Sequence, residues 1–230
     1  MKLIAMIPAR LGSKRIPRKN IRIIGGKPLI RHAVDLAVSS GEFAEVWVNS
    51  ESEQLGRIAA EAGANFHRRP EHLASDAATN RDFTTEFLES HPCDYVVMVN
   101  TTSPLLRHDT LRRFCSRLRA DECDTLLSTL VLQAETFYHG APLNFPTTEK
   151  INSQLLPPVE YVVWALTGWK RDCFLSLQKK AECPVFGGRL TTFAIPKDES
   201  CDLDTEEDWR IAEGIMEARG KNRKAEYYDF

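Results

Sequence analysis

Residues 2–20, KLIAMIPARLGSKRIPRKN, decide the fold because a mostly apolar run leads directly into a basic loop. The run over 2–8 is typical of a strand that is buried on both faces of a parallel sheet. After the loop, apolar residues recur at helical spacing from Leu29 to Val38. Pro28 suits a first helical position and Gly41 supplies a stop. The stretch therefore predicts one strand–loop–helix unit of an α/β fold.

The same alternation continues along the chain. It predicts strands over 45–50, 64–69, 94–100, 125–132, 160–169 and 189–196, and helices over 55–63, 80–90, 111–121 and 205–219. Thr205 would cap the last helix, with Asp208 at the capping-box position. Strands that alternate with helices favour right-handed crossovers and a mainly parallel sheet covered on both faces. We therefore expect a three-layer α/β sandwich in a single domain over 1–230, with a polar tail over 221–230.

The regular alternation stops between 134 and 160, where the sequence has four prolines and little periodicity. A mobile loop, a small β excursion and an arm onto a second subunit are all compatible with this pattern. The segment is too short to form a second independent domain.

Composition excludes several classes of protein. Of the 230 residues, 30 are Lys or Arg and 32 are Asp or Glu, giving a formal net charge of -2. This balance argues against a general nucleic-acid-binding protein, although a local basic cluster could still bind a small anion. The six cysteines show no zinc-ligand or redox spacing. No run approaches the roughly 20 apolar residues of a membrane helix, and we expect a cytoplasmic protein.

The loop over 9–20 has the composition of an anion site. Gly12 and Ser13 would let backbone N–H groups approach an anion closely, at the carboxyl end of a parallel strand. A polyphosphate is the ligand that this predicts, and a solvated basic loop is the alternative. GxxxxGK[ST] and GxGxxG are both absent. Five cations fall within ten residues of this loop: Arg10, Lys14, Arg15, Arg18 and Lys19.

The segment SCDLD (200–204) lies between a predicted strand and a predicted helix. Alternate residues of an extended segment face the same way, so Asp202 and Asp204 can point into one site. Two carboxylates beside a polyphosphate suit Mg²⁺. Helix capping and surface charge are the alternative reading of this pair.

Two more polar loops follow predicted strands, over 69–76 and 100–105, and should open on the same edge of the sheet. Both are rich in short hydrogen-bonding side chains, although turn and cap chemistry would also explain the second loop. The six histidines share no spacing that indicates a metal site or an acid–base cluster.

Five motifs in this order resemble a known family: IPARLGSKRIPRKNI, GGKPLI, RPEHLASDAAT, TSPL and DLDTEEDWRIAE. They look like the CMP-sialic acid synthetases, the acylneuraminate cytidylyltransferases, together with relatives that act on other nonulosonic acids. The resemblance runs from Met1 to about Arg219. It implies a Rossmann-like nucleotidyltransferase fold and a reaction that couples CTP to a 2-keto sugar acid, with CMP-sugar and pyrophosphate as products. It also implies a homodimer, with 134–162 as the small dimerisation subdomain.

Carried over by motif position, the resemblance implies a role for each site residue. Lys19, Arg10 and Asp202 would be catalytic, with Lys19 nearest the α-phosphate. Asp202 and Asp204 would hold Mg²⁺. The CTP-binding positions would be Arg10, Gly12, Ser13, Lys14, Lys19, Asn20, Arg69 and Ser75. The sugar-binding positions would be Asn100, Thr102 and Ser103.

The sequence departs from the family pattern mainly on the sugar side. Leu11 replaces a usual glycine of the first motif, and Asn100 replaces a glutamine. Leu106 occupies an arginine position, with Arg107 one residue later, and 163–164 carry Val-Trp where the family usually has Asn-Gly. A different anionic acceptor, such as a shorter keto-sugar acid or a phosphonate, is therefore an alternative. A catalytically silent nucleotide-binding or assembly protein is the alternative from another class.

Overall fold

A computed structural model of the chain describes residues 1–120 and 122–221. The strands are β1 (Leu3–Pro8), β2 (Ile23–Ile24), β3 (Lys27–Pro28), β4 (Glu45–Ser50), β5 (Asn65–Arg68), β6 (Tyr95–Val99), β7 (Thr125–Leu132), β8 (Phe137–Tyr138), β9 (Ala141–Pro142), β10 (Val159–Lys170) and β11 (Leu190–Ala194). The α-helices are α1 (Leu29–Ser40), α2 (Glu53–Glu61), α3 (Asn80–Ser90), α4 (His108–Arg119), α5 (Arg171–Lys179) and α6 (Glu206–Arg219). The predicted polar tail over 221–230 lies outside the described residues, except for Lys221.

Seven strands form one sheet in the order β11-β7-β10-β6-β1-β4-β5. Within this sheet β10 runs antiparallel to both of its neighbours, β6 and β7, while the other neighbouring strands are parallel. The expected mainly parallel sheet is confirmed. The first strand, β1, lies inside the sheet between β6 and β4, so both of its edges are paired.

Alternation along β1 divides the core between the two faces. Ala5 and Ile7 belong to a cluster that includes residues of α1, α2 and α4. Ile4 and Met6 belong to a second cluster that includes residues of α3 and α5. All four side chains are fully buried. The helices therefore cover both faces, and the predicted three layers are present.

The long strand β10 brings the chain back after the irregular segment. Because β10 pairs antiparallel with β7, the excursion between them lies at the edge where β7 ends. It contains the short β8–β9 hairpin, which corresponds to the small β excursion, one of the three alternatives for this segment. Pairing of β10 with β7 is interrupted between Val162 and Thr167, and the Ser128 hydroxyl donates to the Val163 carbonyl there while accepting from the Leu166 N–H.

Several local predictions are confirmed, and one helix, α5, was not predicted from the sequence. Thr205 and Asp208 form a capping box at the start of α6, and Gly41 ends α1 in the left-handed region at φ 69°. Pro28 is the N-cap of α1 rather than its first residue. The sequence pattern did not predict α5. In the part of the chain that the structure describes, no helix is long and apolar enough to span a membrane.

Candidate active site

A cleft of about 450 Å³ opens where β1, β5 and β6 end. Loops that follow these three strands form most of its walls, as the sequence predicted. The lining residues are Ala9, Arg10, Ser13, Lys14, Arg15, Lys19 and Asn20 from the first loop, Arg69, Leu73, Ser75, Asp76 and Ala78 from the second, and Asn100, Thr101 and Thr102 from the third, with Pro8, Asn80, Phe83 and Met98.

The first loop is held in a defined shape by its own backbone and by a buried side chain. Ala9 extends the β1–β4 ladder by donating its N–H to the Asn49 carbonyl over 3.1 Å. The Asn20 amide Nδ2 donates to the Arg10 carbonyl over 2.8 Å and closes the base of the loop. Ile16 is fully buried and anchors its middle. The cations between these points therefore sit on a fixed scaffold.

Asp76 neutralises two of these cations. Arg10 Nη1 lies 2.7 Å from Asp76 Oδ1, and the Lys14 ammonium pairs with the other carboxylate oxygen. Hydrogen bonds from Lys14 first and Arg10 second lower the pKa of Asp76 below its ordinary value. The carboxylate thus stands where an anionic ligand of Arg10 and Lys14 would bind.

Lys19 connects the first loop to the segment that carries the paired aspartates. Its Nζ donates to the Leu203 carbonyl over 2.6 Å and lies 3.5 Å from Asp204 Oδ1. Arg15 Nη1 pairs with Asp204 Oδ2 at 2.8 Å. Burial lowers the pKa of Lys19, while Asp204 and Asp202 act in the opposite direction. The loop and both aspartates therefore share one edge of the sheet.

Asp202 is the more buried carboxylate of the pair. Its Oδ1 is buried and has no hydrogen-bond partner among the residues that the structure describes, and burial raises its pKa, opposed by hydrogen bonding from the Thr102 side chain. Leu203 N–H donates to the Thr102 carbonyl over 2.9 Å and fixes this segment against the third loop. A divalent cation would satisfy the unpartnered oxygen, so the donor chemistry at Asp202 and Asp204 fits Mg²⁺. To bind a cation, Asp204 would have to release Arg15.

Asn20, Arg69 and Ser75 are among the residues that line the cleft, whereas Asp202 and Asp204 are not. Asn20 is buried, its amide nitrogen donates to the Arg10 carbonyl, and its Oδ1 has no partner within residues 1–120 and 122–221. Arg69 is only 4% exposed, its Nη2 donates to the Ala9 carbonyl over 3.0 Å, and its guanidinium lies 5.1 Å from the Phe83 ring centre. Burial is the main cause that lowers the pKa of Arg69. These groups offer one free acceptor and one buried cation to a ligand.

In the third loop, which carries the predicted sugar-binding residues, the structure brings only some of those residues to the cleft. Asn100 and Thr102 line it, whereas Ser103 is buried and is not among the lining residues. Leu106 is buried too, and Arg107 pairs with Asp198 and lies 3.8 Å from Glu199 Oε1. Arg107 therefore does not supply the cationic fork that Leu106 lacks.

Gly12 is exposed on the first loop and is not among the lining residues either. A Cβ added to it would meet no atom within 4 Å. Its contact with a nucleotide stays a prediction.

The contributors to this region that the sequence does not predict include Glu51, Asp76, Asn80 and Phe83. Asp76 belongs to the RPEHLASDAAT motif over 69–79, but nothing in the local pattern indicates that it pairs with the first loop. Glu51 directly follows a predicted strand and so shares the carboxyl edge of the sheet, which was the available signal. Asn80 and Phe83 begin α3, and their approach to the cleft depends on how that helix packs.

A family model described as Cytidylyltransferase matches residues 4–190. The chain belongs to the cytidylyltransferase family. Among the curated relatives of this family member, N-acylneuraminate cytidylyltransferase A of Danio rerio is 27% identical over 91% of the chain and 49% of its own length. Pseudaminic acid cytidylyltransferase of Campylobacter jejuni is 30% identical over 92% of the chain and 95% of its own length. The chain thus spans about half the length of the first curated relatives it matches and nearly all of the Campylobacter protein.

Solved structures agree with the fold. CMP:2-keto-3-deoxy-manno-octonic acid synthetase, solved in complex with CTP, superposes with a TM-score of 0.74 at 19% identity, over 95% of this chain and 100% of the other. A 4-diphosphocytidyl-2C-methyl-D-erythritol synthase from Anaerococcus prevotii gives 0.68 at 11% identity, over 94% and 98% of the two chains. The nucleotidyltransferase fold implied by the sequence motifs is confirmed.

Proposed function

We propose that this protein transfers CMP from CTP to the anomeric hydroxyl of a 2-keto sugar acid of the nonulosonic type, with release of pyrophosphate. The proposal depends mainly on one observation: Lys19, which belongs to the cation-rich loop, contacts the segment that contains Asp202 and Asp204. Membership of the cytidylyltransferase family and the names of its relatives support CTP and a sugar acid as substrates.

In this reaction the acceptor oxygen bonds to the α-phosphorus as the bond to the bridging oxygen of the pyrophosphate breaks. The hydroxyl proton leaves to solvent. Because the displacement involves little covalent participation by the protein, positioning and charge neutralisation supply most of the catalysis. Arg10, Ser13 and Lys14 would hold the triphosphate, and Lys19 would neutralise charge at the α-phosphate.

The base side of the cleft suits a nucleoside. The unpartnered Oδ1 of Asn20 would accept a hydrogen bond from an exocyclic amino group or a ribose hydroxyl, and Arg69 and Ser75 would frame the same group. Mg²⁺ held by Asp202 and Asp204 would supply phosphate charge neutralisation and a lowered pKa for a coordinated hydroxyl. The cytoplasm, where CTP is available, is the compartment that we expect for this reaction.

A shorter keto-sugar acid is the second candidate acceptor. Two observations favour it: Leu106 and the tethered Arg107 leave the third loop without a free arginine fork, and one solved neighbour is named for an octonic acid. A panel of sugar acids that includes N-acetylneuraminate, pseudaminate and 2-keto-3-deoxy-octonate separates the two candidates by pyrophosphate release with CTP.

Lys19→Ala and Asp202→Ala test the assignment of the site. We expect each to lower turnover by about 10²-fold or more. Lys19→Ala removes a cation beside the reacting phosphate, and Asp202→Ala removes a carboxylate that would hold Mg²⁺ there. Pyrophosphate release measures turnover, and calorimetry measures whether Asp202→Ala loses the Mg²⁺ dependence of CTP binding. Lys197→Ala, a change of another lysine outside the cleft lining, is the control.

Two results would contradict the proposed function. One is a lack of pyrophosphate release with every acid of the panel at millimolar Mg²⁺. The other is full turnover in the folded Lys19→Ala variant. CTP binding without turnover would favour a catalytically silent nucleotide-binding protein.

A homodimer completes the proposal. The excursion over 134–162 exposes large apolar side chains, and Phe137, Tyr138 and Leu155 are each at least 60% exposed. A second copy of this chain would cover them. Because β7 is parallel to β6 and leads into the excursion, this surface belongs to the cleft edge of the sheet, so the partner would close the sugar site.

A further inference from the structure

Glu51 lies directly after β4 and touches two parts of the candidate nucleotide site. Its Oε1 accepts the Leu11 N–H of the first loop over 2.8 Å. Its Oε2 lies 3.6 Å from Nη2 of Arg69, which follows β5. The Glu51 side chain is 18% exposed, and that of Arg69 is 4% exposed. Glu51 itself is not among the residues that line the cleft.

The surrounding contacts fix both ends of this bridge. Arg69 Nη2 donates to the Ala9 carbonyl, and its backbone N–H donates to the Ser50 carbonyl, each over 3.0 Å. Glu51 raises the pKa of Arg69 and so favours the charged guanidinium in a site where burial disfavours it. The ends of β1, β4 and β5 are thereby joined through one carboxylate.

We infer that Glu51 is a positioning residue that sets the distance between the phosphate-binding loop and the base-framing Arg69. The inference rests on the proposed function, in which Arg10, Ser13 and Lys14 hold the triphosphate and Arg69 frames the nucleoside. Glu51 contacts neither part of the nucleotide and acts through the two groups that do.

A ligand that spans both subsites reports on their spacing, whereas a fragment that fills one subsite does not. CTP must satisfy the loop and Arg69 simultaneously, so a loop that moves relative to Arg69 weakens CTP binding even when each subsite is intact. Cytidine needs only the base side, and inorganic tripolyphosphate needs only the loop. A residue that merely stabilised the fold would not discriminate among the three ligands in a protein that remains folded.

Two substitutions separate the charge of Glu51 from its hydrogen bond. Glu51→Gln keeps an oxygen that can accept the Leu11 N–H but removes the charge opposite Arg69. Glu51→Asp keeps the charge but shortens the side chain by one methylene, so the carboxylate retreats from both partners. The matched control is Glu53→Gln, two residues further on, where an exposed glutamate pairs with the exposed Arg68 at 2.8 Å.

The experiment is calorimetric titration of the purified full chain and these variants with CTP, cytidine and inorganic tripolyphosphate, after a thermal melt has shown that each variant is folded. We expect Glu51→Gln and Glu51→Asp to raise the Kd for CTP about tenfold, which is the effect of losing one charge-assisted contact. The Kd values for cytidine and tripolyphosphate should change less than about threefold. Glu53→Gln should match the unchanged protein with all three ligands.

The inference is overturned if both folded Glu51 variants bind CTP as the unchanged protein does. It is also overturned if they lose affinity for CTP and for one fragment to the same extent, because Glu51 would then act within one subsite. If the unchanged protein binds no CTP, the proposed function fails and the inference fails with it. In the first two outcomes, by contrast, the unchanged protein binds CTP and only the inference fails.

Discussion

Individual carboxylates form ion pairs with the cations of the first loop. Asp76 pairs with Arg10 and Lys14, and Asp204 pairs with Arg15 and lies near Lys19. A triphosphate would therefore replace protein carboxylates when it binds. Exposed ion pairs contribute little free energy because solvent screens them, so the exchange is not strongly opposed. The cations nevertheless hold defined positions before the ligand arrives.

Asp76→Asn is expected to strengthen CTP binding. The substitution removes a negative charge that competes with phosphate for Arg10 and Lys14, and we expect the Kd for CTP to fall about threefold, a size typical of an exposed pair. Calorimetric titration at constant ionic strength measures the change. Glu71→Gln, in the same loop and also exposed, is the charge-matched control. A weaker affinity in Asp76→Asn would mean that Asp76 helps to hold the nucleotide.

The pH dependence of this effect follows from the sign of the pKa shift. The pKa of Asp76 is lowered from the ordinary value of 3.8 by its two cations, so the carboxylate is charged and paired at and above that value. The pairing is lost only as the pH falls through the lowered pKa. The gain in CTP affinity should therefore be constant between about pH 6 and pH 9, far above the range where aspartate titrates.

At the scale of the elements, two helix ends show how the chain stops a helix with different residues. Helix α1 ends at Gly41, which has φ 69°. After α5, Ala181 takes the corresponding left-handed conformation with φ 58°. The N–H groups of Ala181 and Glu182 donate to the carbonyls of Gln178 and Leu177 over 3.1 and 3.0 Å, which is the hydrogen-bond pattern of a Schellman motif. Glycine is the usual residue at this position, and alanine is strained there.

Ala181→Gly is expected to stabilise the protein. Removing the methyl group relieves the left-handed strain, and the free energy of unfolding should rise by about 1 kcal/mol. For a chain of this size the midpoint of thermal unfolding should rise by roughly 2–4 °C. Differential scanning calorimetry measures both quantities.

The reciprocal substitution Gly41→Ala is the control for this prediction. A Cβ at Gly41 meets no atom within 4 Å, so only the backbone strain is added and stability should fall by a similar amount. If both substitutions shift the midpoint in the same direction, backbone strain is not the cause.

At the scale of the whole molecule, the reversed strand β10 determines where the excursion lies. Since β10 runs antiparallel between β6 and β7, those two strands are parallel and end on the same side of the sheet. The cleft lies at the end of β6, and the excursion begins at the end of β7. Exposed Phe137, Tyr138 and Leu155 are thus carried by the side of the molecule that also carries the candidate active site.

The double variant Phe137→Ser, Leu155→Ser tests the proposed dimer. The unchanged protein should behave as a dimer in light scattering, and the variant should dissociate because these two side chains are 60% and 77% exposed in the single chain. Turnover should fall with dissociation if the partner closes the sugar site. Ile211→Ser, which removes an exposed apolar side chain from α6, is the control. An unchanged protein that is a fully active monomer would refute the proposal.

Local patterns predicted most of the elements. The bounds of β4, β7 and α3 match the predicted ranges, because β-branched or apolar runs and capping residues act over a few positions. Helix α5 was missed because only Phe174 of its nine residues is buried, which leaves a weak apolar stripe. The direction of β10 was not predictable, because an apolar run has the same pattern in a parallel and in an antiparallel strand.

The site was predicted as a set of residues but not as a set of contacts. The sequence motifs indicated which loops carry cations, carboxylates and short polar groups, and the sheet brings these loops together. The position of Glu51 after a predicted strand indicates its edge of the sheet, but no local pattern indicates the contacts: the pairing of Arg10 and Lys14 with Asp76, the tethering of Arg107 and the bridge made by Glu51. Each depends on the position of two loops that follow different strands.

The sequence by itself determined the strand–loop–helix unit over 2–41, the family and the concentration of cations in the first loop, since burial patterns and motifs act over short distances along the chain. Only the tertiary structure decided which groups meet. Lys19 and Leu203 are separated by 184 positions, and their contact exists because β1 lies next to β6 in the sheet while the Asp202–Asp204 segment packs against the loop after β6. A net charge of -2 therefore gave no indication of a cleft in which cations and carboxylates are already paired.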